Sequence, residues 1–286
     1  MRDDMAESVT CRRDFSRGMV GAAGIPLLAK SAATTRRPNV IIVLTDDQGY
    51  GDLSCHGNPV VKTPNIDRLH NESIRLTDFH VAPMCTPTRS QIMTGRDTLV
   101  NRACRVCSGE SFLRRDIPTM ADIFSAGGYR TGIFGKWHLG DNYPHRPEDR
   151  GFQEAVHHNG WGATAGGDYW NNDYFNDTYC HNGKRKQFQG YCTDVWFSKA
   201  TRWIQECHRR QEPFLAYLPC NAPHGPHFVP DKYREPYLKR GLDLEVASFF
   251  GMIANIDENV EEMDEMLRKA VKGIRELTKI QNKSLI

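Results

Sequence analysis

Three short apolar runs along the chain have the composition of strands that are buried on both faces of a sheet. Turn-forming residues or prolines bound each run, and the runs span residues 40–44, 131–134 and 214–218. Between them, apolar residues recur at helical spacing over residues 64–71, 117–126 and 194–209. Strands that alternate with helices predict an α/β fold, with a mostly parallel central sheet sandwiched by helices. Ligands of such sheets bind beyond the carboxyl ends of the strands.

Residues 141–192 interrupt this alternation. They are rich in asparagine, glycine, tyrosine and tryptophan, as in the stretch from Trp161 to Trp170. We expect a loop-rich insertion outside the sheet, which either walls a substrate pocket or packs on itself. The remainder of residues 38–286 is predicted to form one α/β domain.

The first 37 residues differ in composition from the rest of the chain. The pair Arg12-Arg13 precedes a short, mildly apolar stretch, and small residues follow at positions 31–33. This order is typical of a twin-arginine export signal, and a disordered tail is the alternative. The apolar stretch is too short for a stable membrane span. We therefore expect an exported protein, periplasmic or extracellular.

Composition excludes few classes of protein. A chain of 286 residues with 39% hydrophobic and 25% charged residues is enzyme-sized, and a net charge of +2 gives no reason to expect a nucleic-acid or membrane partner. The nine cysteines are too few and too scattered for a disulfide scaffold. Cys104 and Cys107 form a single C-x-x-C pair, for which a loop thiol pair or local disulfide is favoured over a zinc half-site. Four others are candidates for pairing after export: Cys180, Cys192, Cys207 and Cys220.

Adjacent carboxylates follow the first predicted strand. Asp46 and Asp47 would repel each other unless positive charge lies beside them. A hard divalent cation with oxygen ligands meets this need, and an exposed Asp-Asp-Gln-Gly turn is the alternative.

The run Cys85-Thr86-Pro87-Thr88-Arg89 contains the most informative cysteine of the chain. We expect a helix to begin near Thr88 and to carry Arg89 on the same face as Cys85. A thiol at a helix start suits a cysteine hydrolase. It suits a metal site built from hard oxygens poorly, which favours chemical conversion of Cys85.

Three sequence blocks, in this order, together resemble the type I sulfatases of the alkaline-phosphatase superfamily. They are NVIIVLTDDQG at 39–49, CTPTRSQIMTGR at 85–96 and GYRTGIFGKWHLG at 128–140, and the likeness extends over about residues 38–265. The resemblance implies hydrolysis of an aryl or carbohydrate sulfate by an incomplete N-terminal catalytic domain. It also implies calcium bound by Asp46, Asp47 and the oxidised Cys85. Cys85 would be a formylglycine nucleophile made by a formylglycine-generating enzyme that reads C-x-P-x-R.

The resemblance also implies roles for the cationic residues and histidines. Arg89 would hold the formylglycine hydrate, Lys136 would contact the hydrate and the sulfate, and His138 would take a proton from the hydrate to expel sulfate. In an extended segment Lys136 and His138 would point the same way, because they alternate across one residue. After the third predicted strand, His227 would be the leaving-group acid. His224 would support it or line the pocket. For both of these residues an ordinary loop histidine is the alternative.

The chain departs from the family after residue 227. The family continues into a strand that ends in Asp-Asn-Gly, which completes the metal site, and a later lysine contacts sulfate; neither has a counterpart here. We therefore expect a truncated chain with an incomplete calcium shell. A phosphonate or phosphate ester hydrolase of the same superfamily and a catalytically incomplete remnant are the alternatives.

Overall fold

A computed structural model describes residues 37–106, 112–163 and 173–271 of the protein. Within these residues the strands are β1 Val40–Leu44, β2 Arg130–Lys136, β3 Glu154–His158, β4 Thr178–His181, β5 Lys184–Gln187 and β6 Phe214–Pro219. The helices are α1 Pro64–Asn71, α2 Cys85–Thr94, α3 Thr98–Asn101, α4 Met120–Ala126, α5 Cys192–Arg209, α6 Asp231–Leu238 and α7 Leu244–Val271. Two short 3-10 helices cover Ser54–His56 and Pro147–Arg150. The predicted α/β class is confirmed.

One six-stranded sheet has the strand order β1-β6-β2-β3-β4-β5. The first four of these strands are parallel, and β4 and β5 continue the sheet in antiparallel pairing. The carboxyl ends of β1, β6, β2 and β3 therefore lie along one edge of the sheet.

Both faces of the sheet are covered, which explains why the central strands are apolar without alternation. In β6, Leu215 and Tyr217 belong to one core cluster, together with Met93 of α2. Phe214 and the alternate positions of β6 belong to the other cluster, together with Trp196 of α5. Successive side chains of β6 thus enter two different cores, as the pleat of a strand requires.

The start of one helix differs from its predicted position because a capping interaction fixes it. α4 begins at Met120 rather than at residue 117, because Thr119 forms a capping box. Its Oγ1 accepts from the N–H of Asp122 at 3.1 Å, and the Asp122 carboxylate accepts from the N–H of Thr119 at 2.8 Å. β1 and α1 have the predicted bounds.

The expectation that residues 141–192 lie outside the sheet is wrong for much of that segment. β3, β4 and β5 come from it and extend the central sheet. Strands were not predicted there because β3 ends in His157-His158 and β5 is wholly exposed, so neither strand has a long apolar run. Residues 164–172 of the segment, and the predicted export signal at 1–36, lie outside the described residues.

The four cysteines that were candidates for pairing after export are all free. Cys192 lies in the first turn of α5, where its Sγ lies 3.6 Å from the side-chain amide of Asn221. Cys104 is free, its thiol donating to the carbonyl of Thr98, and Cys107 lies outside the described residues. In the described ranges, no helix combines the length and apolarity needed to cross a membrane.

Candidate active site

The turns that follow β1 and β6 are hydrogen-bonded to each other. The N–H of Cys220 donates to the carbonyl of Leu44 at 2.7 Å, and the N–H of Asp46 donates to the carbonyl of Ala222 at 3.1 Å. β2 pairs with the other side of β6, so its last residue, Lys136, reaches the same edge. Three segments that are distant in sequence therefore meet where parallel sheets bind ligands.

The carboxylate of Asp46 is buried between two cations. Its Oδ2 accepts a hydrogen bond from Nζ of Lys136, and its Oδ1 lies 3.3 Å from Nη2 of Arg89. Asp46 is 4% exposed, Arg89 is 1% exposed and Lys136 is fully buried. Burial alone would raise the pKa of Asp46, but the charges of Arg89 and Lys136 hold it below its ordinary value. Asp46 is therefore a carboxylate at neutral pH.

Arg89 ties helix α2 to the ends of two strands. Its guanidinium donates to the carbonyl of Lys136 at 3.0 Å and to that of Cys220 at 3.2 Å. Burial disfavours its charged form, yet Asp46 and, more weakly, Tyr217 and Cys85 raise the pKa of Arg89 above its ordinary value. Arg89 is thus a permanent cation that fixes where α2, and with it Cys85, sits at the sheet edge.

Helix α2 begins at Cys85, not near Thr88 as the sequence predicts. Met84 is extended and caps the helix, and its carbonyl accepts from the N–H of Thr88 at 3.1 Å. Pro87 is tolerated because the first-turn N–H groups of a helix have no partner within it. Cys85 is therefore the first helical residue, half-buried at the positive end of the helix dipole.

His138 follows Lys136 closely in the chain, but the two residues do not lie on one extended segment as predicted. β2 ends at Lys136, and His138 has a φ of 56°, so the two residues do not alternate along an extended strand. Within the described residues neither ring nitrogen of His138 has a hydrogen-bond partner. Burial, followed by the charges of Lys136 and Arg89, lowers the pKa of His138 to about 2. The imidazole is therefore neutral at physiological pH.

His224 lies beside the exposed member of the aspartate pair. Its Nε2 is 3.4 Å from Oδ2 of Asp47, whose side chain is 61% exposed. The hydroxyl of Tyr174 donates to the carbonyl of His224 at 3.1 Å, and the ring of Trp161 stands edge-on to the histidine with centroids 6.1 Å apart. Residues of the 141–192 segment thus contact the histidine loop that follows β6.

His227 is directed toward helix α7. Its Nδ1 lies 2.7 Å from Oε1 of Glu245, in the first turn of α7, and its ring packs edge-on against Phe249. Its polar contact within the described residues is therefore with Glu245, not with Asp46 or Lys136.

His158 also lies at this edge of the sheet, although no sequence pattern marks it as a site residue. In the β2–β3 pairing His158 lies opposite Lys136, and it is 1% exposed. Burial lowers its pKa to about 3, with a further contribution from Lys136. The pair His157-His158 was visible in the sequence, but a strand there was not predicted, so nothing assigned the pair to the sheet edge.

The oxygen donors near the end of β1 fit part of a site for a hard cation. Asp46 is a buried carboxylate and Asp47 an exposed one, and Oε1 of Gln48, itself buried, has no hydrogen-bond partner in the described part of the chain. Carboxylate and amide oxygens are ligands of calcium. A calcium ion at Asp46 would share that carboxylate with Lys136 and Arg89.

Comparisons with known proteins agree on one family. The sulfatase family model matches residues 38–286. An uncharacterized sulfatase of Schizosaccharomyces pombe is 31% identical over 237 residues, which is 73% of this chain and 42% of that protein. The arylsulfatase of Klebsiella aerogenes is 30% identical over 216 residues, which is 71% of this chain and 46% of the relative. This chain thus spans less than half the length of either relative.

Among solved structures, Ps i-CgsB in complex with k-i-k-neocarrahexaose is similar in both fold and sequence. The TM-score is 0.74 at 27% identity, and the match covers 82% of this chain and 55% of that one.

Proposed function

Because the chain belongs to the sulfatase family, we propose that the protein hydrolyses sulfate esters with a formylglycine derived from Cys85 as nucleophile and with calcium as cofactor. One observation carries this proposal. Arg89, one turn after Cys85 on α2, is bonded to the strand end at Lys136 and paired with Asp46. The C-x-P-x-R motif is thereby joined to the carboxylate that would hold the cation.

Calcium and the formylglycine would each supply one element of the chemistry. Calcium held by Asp46, Asp47 and the converted Cys85 would polarise sulfate oxygens, and the formylglycine hydrate would supply the attacking hydroxyl.

The residues of the chain itself have separate tasks in this proposal. Arg89 and Lys136 supply fixed positive charge, buried from water, at the edge where the anionic sulfate binds. We assign to His138 the removal of a proton when the sulfate is released; this requires the bound anionic sulfate to offset the charges of Lys136 and Arg89, which lower the pKa of His138. His227 donates a proton to the departing oxygen, and Glu245 contacts its Nδ1 and orients the ring.

The substrate class we propose is a sulfated small molecule or glycan. The arylsulfatase of Klebsiella aerogenes supports an aryl sulfate, and the saccharide named with Ps i-CgsB supports a carbohydrate. Trp161, 39% exposed and in contact with His224, offers an aromatic face on which a ring could stack.

Conversion of Cys85 would have to precede folding of α2. Thr86 and Arg89 are each 1% exposed and Pro87 is buried, so an enzyme that reads C-x-P-x-R could not reach them in the folded chain. This order is compatible with export of the folded protein by the twin-arginine route, which remains a proposal.

The test is co-expression of the 286-residue chain with a formylglycine-generating enzyme, followed by mass spectrometry and turnover assays. The peptide that contains Cys85 should lose its thiol and gain an aldehyde, and an aryl sulfate should be hydrolysed in a calcium-dependent manner. Cys85→Ala should abolish turnover, whereas Cys104→Ala should not.

Three results would contradict the proposal in different ways. If Cys85 stays unmodified although the co-expressed modifying enzyme is active, formylglycine is not the nucleophile. Faster turnover of an aryl phosphate or phosphonate would favour an ester hydrolase of the other class. A modified chain in calcium without turnover of either substrate would favour a catalytically incomplete protein.

A further inference from the structure

A second group of metal-binding side chains lies outside the candidate active site. Glu148 belongs to the 3-10 helix Pro147–Arg150, His157 to β3 and Cys180 to β4, and one ligand atom of each lies within 4.8 Å of the others. His157 and Cys180 are directly paired across the antiparallel β3–β4 ladder, so their side chains leave the same face of the sheet.

Two of the three separations between the ligand atoms match a tetrahedral shell. Nε2 of His157 is 3.5 Å from Oε1 of Glu148, and Sγ of Cys180 is 3.7 Å from the same oxygen. Zinc bonds of ordinary length at tetrahedral angles separate nitrogen from oxygen by about 3.4 Å and sulfur from oxygen by about 3.6 Å. The third pair, Nε2 of His157 and Sγ of Cys180, lies within 4.8 Å, so side-chain adjustment can place one ion at bonding distance from all three atoms.

Two of the three donors are buried, and the third, Glu148, is 19% exposed and faces both of them. His157 is 2% exposed and Cys180 is 8% exposed. Nε2 of His157 and Oε2 of Glu148 are buried without a hydrogen-bond partner among the described residues. Nε2 of His157 is 3.5 Å from Oε1 of Glu148, so without a metal ion the two groups face each other as an ion pair, which a bound ion would replace.

Neighbouring groups orient the donors as in known metal sites. Nδ1 of His157 faces the carbonyl of His158 at 3.3 Å, which leaves Nε2 as the ligand nitrogen. The N–H of Gly183 donates to Oε1 of Glu148 at 2.8 Å and holds the carboxylate in place. A thiolate, a carboxylate and an imidazole together carry the charge and softness that suit zinc rather than calcium.

We infer that Glu148, His157 and Cys180 form a site for a zinc-class transition-metal ion, with water as the fourth ligand. The ion ties the 3-10 helix to β3 and β4. It thereby braces the strand whose next residue, His158, lies opposite Lys136 at the active-site edge. This inference does not rest on the proposed sulfatase chemistry.

The test is cobalt(II) binding to the metal-stripped 286-residue chain. A thiolate that ligates cobalt produces a charge-transfer absorption, which calcium-type oxygen sites do not produce. We expect about one equivalent to bind with this absorption, and zinc to displace it. Cys180→Ser should remove the absorption and weaken zinc binding at least about tenfold.

The control is Cys55→Ser. Cys55, His56 and His70 form another, half-buried group of possible ligands, so this variant should keep the absorption. If Cys180→Ser does not fold, Glu148→Gln at the most exposed ligand provides the same affinity measurement without disturbing the thiolate band. The inference is overturned by a wild-type chain without the band, by loss of the band in Cys55→Ser instead, or by unchanged zinc affinity in Glu148→Gln.

Discussion

The ammonium of Lys136 and the carboxylate of Asp46 form an ion pair that is almost completely removed from solvent, with Lys136 fully buried and Asp46 4% exposed. Lys136 ends β2 and Asp46 follows β1, two strands that are separated in the sheet by β6. The pair therefore spans the width of three strands at the edge where the candidate active site lies. Arg89 adds a second cation to the same carboxylate.

Replacement of Asp46 by Asn should destabilise the protein far more than the same change at Asp47. Asp46→Asn leaves two buried cations without their anion, which typically costs about 3–5 kcal/mol in the free energy of unfolding. Asp47→Asn, at a side chain that is 61% exposed, should change it by less than about 0.5 kcal/mol. Urea unfolding of both variants in calcium-free buffer measures the difference. Equal, small losses would show that the buried pair is not needed for stability.

Gly135→Ala should displace the strand end that carries Lys136. A Cβ at Gly135 would lie 2.2 Å from the carbonyl oxygen of Pro219, and its φ of +134° already disfavours a side chain. We expect a loss of about 1–3 kcal/mol or more, because backbone rather than a flexible side chain must move.

Gly190→Ala is the matched control for this change. Gly190 has a φ of +103°, but nothing lies within 4 Å of the added Cβ, so only the backbone strain is shared. Thermal unfolding of the two variants separates the steric clash from the strain. A loss as large in Gly190→Ala as in Gly135→Ala would contradict the clash argument.

Acid should destabilise the protein through two buried neutral histidines. The folded-state pKa values of His138 and His158 are about 2 and about 3, whereas an ordinary histidine titrates near 6.5. As the pH falls below about 6.5, these two histidines bind protons in the unfolded chain but not in the folded chain. The free energy of unfolding therefore decreases. The slope approaches about 1.4 kcal/mol per pH unit for each histidine.

Unfolding titrations between about pH 5 and pH 6.5 measure this slope. His138→Gln and His158→Gln should each flatten it, because each removes one group that is protonated only on unfolding. Identical slopes in the wild type and both variants would assign the acid sensitivity to other groups.

His227→Ala should affect substrates according to their leaving groups. An acid matters most when the departing oxygen is basic, so turnover of an alkyl sulfate should fall about 10²- to 10⁴-fold. Turnover of an activated aryl sulfate should fall much less. The measurement is kcat over a series of sulfate esters with the calcium-loaded, modified protein.

His224→Ala is the comparison for this series. His224 contacts Asp47 rather than Glu245, so its loss should lower turnover by a similar factor for every ester. If His227→Ala also lowered turnover by the same factor for every ester in the series, His227 would not be the leaving-group acid.

Much of the candidate site was predictable from local sequence, because its residues follow strands that are apolar throughout. Asp46 was identified from the run that becomes β1, whereas the roles of Lys136 and His227 were implied by the family resemblance, with a strand predicted before each. The turn geometry was not predictable in the same way. His138 adopts a left-handed backbone conformation two residues after the end of β2, so the pleat of the strand does not set its direction. The helix start at Cys85 depends on the extended cap at Met84, which has no side-chain signal.

The sequence by itself determined the α/β class, the central strands and the motif residues, since buried strands and motif spacing are local properties of the chain. Only the tertiary structure decided which partners these residues have. It paired Asp46 with Lys136 and Arg89, joined His227 to Glu245, and added β3 to β5 to the sheet. The reason is physical: strand order and the burial of charge depend on contacts between segments up to about 180 residues apart, which no local pattern encodes.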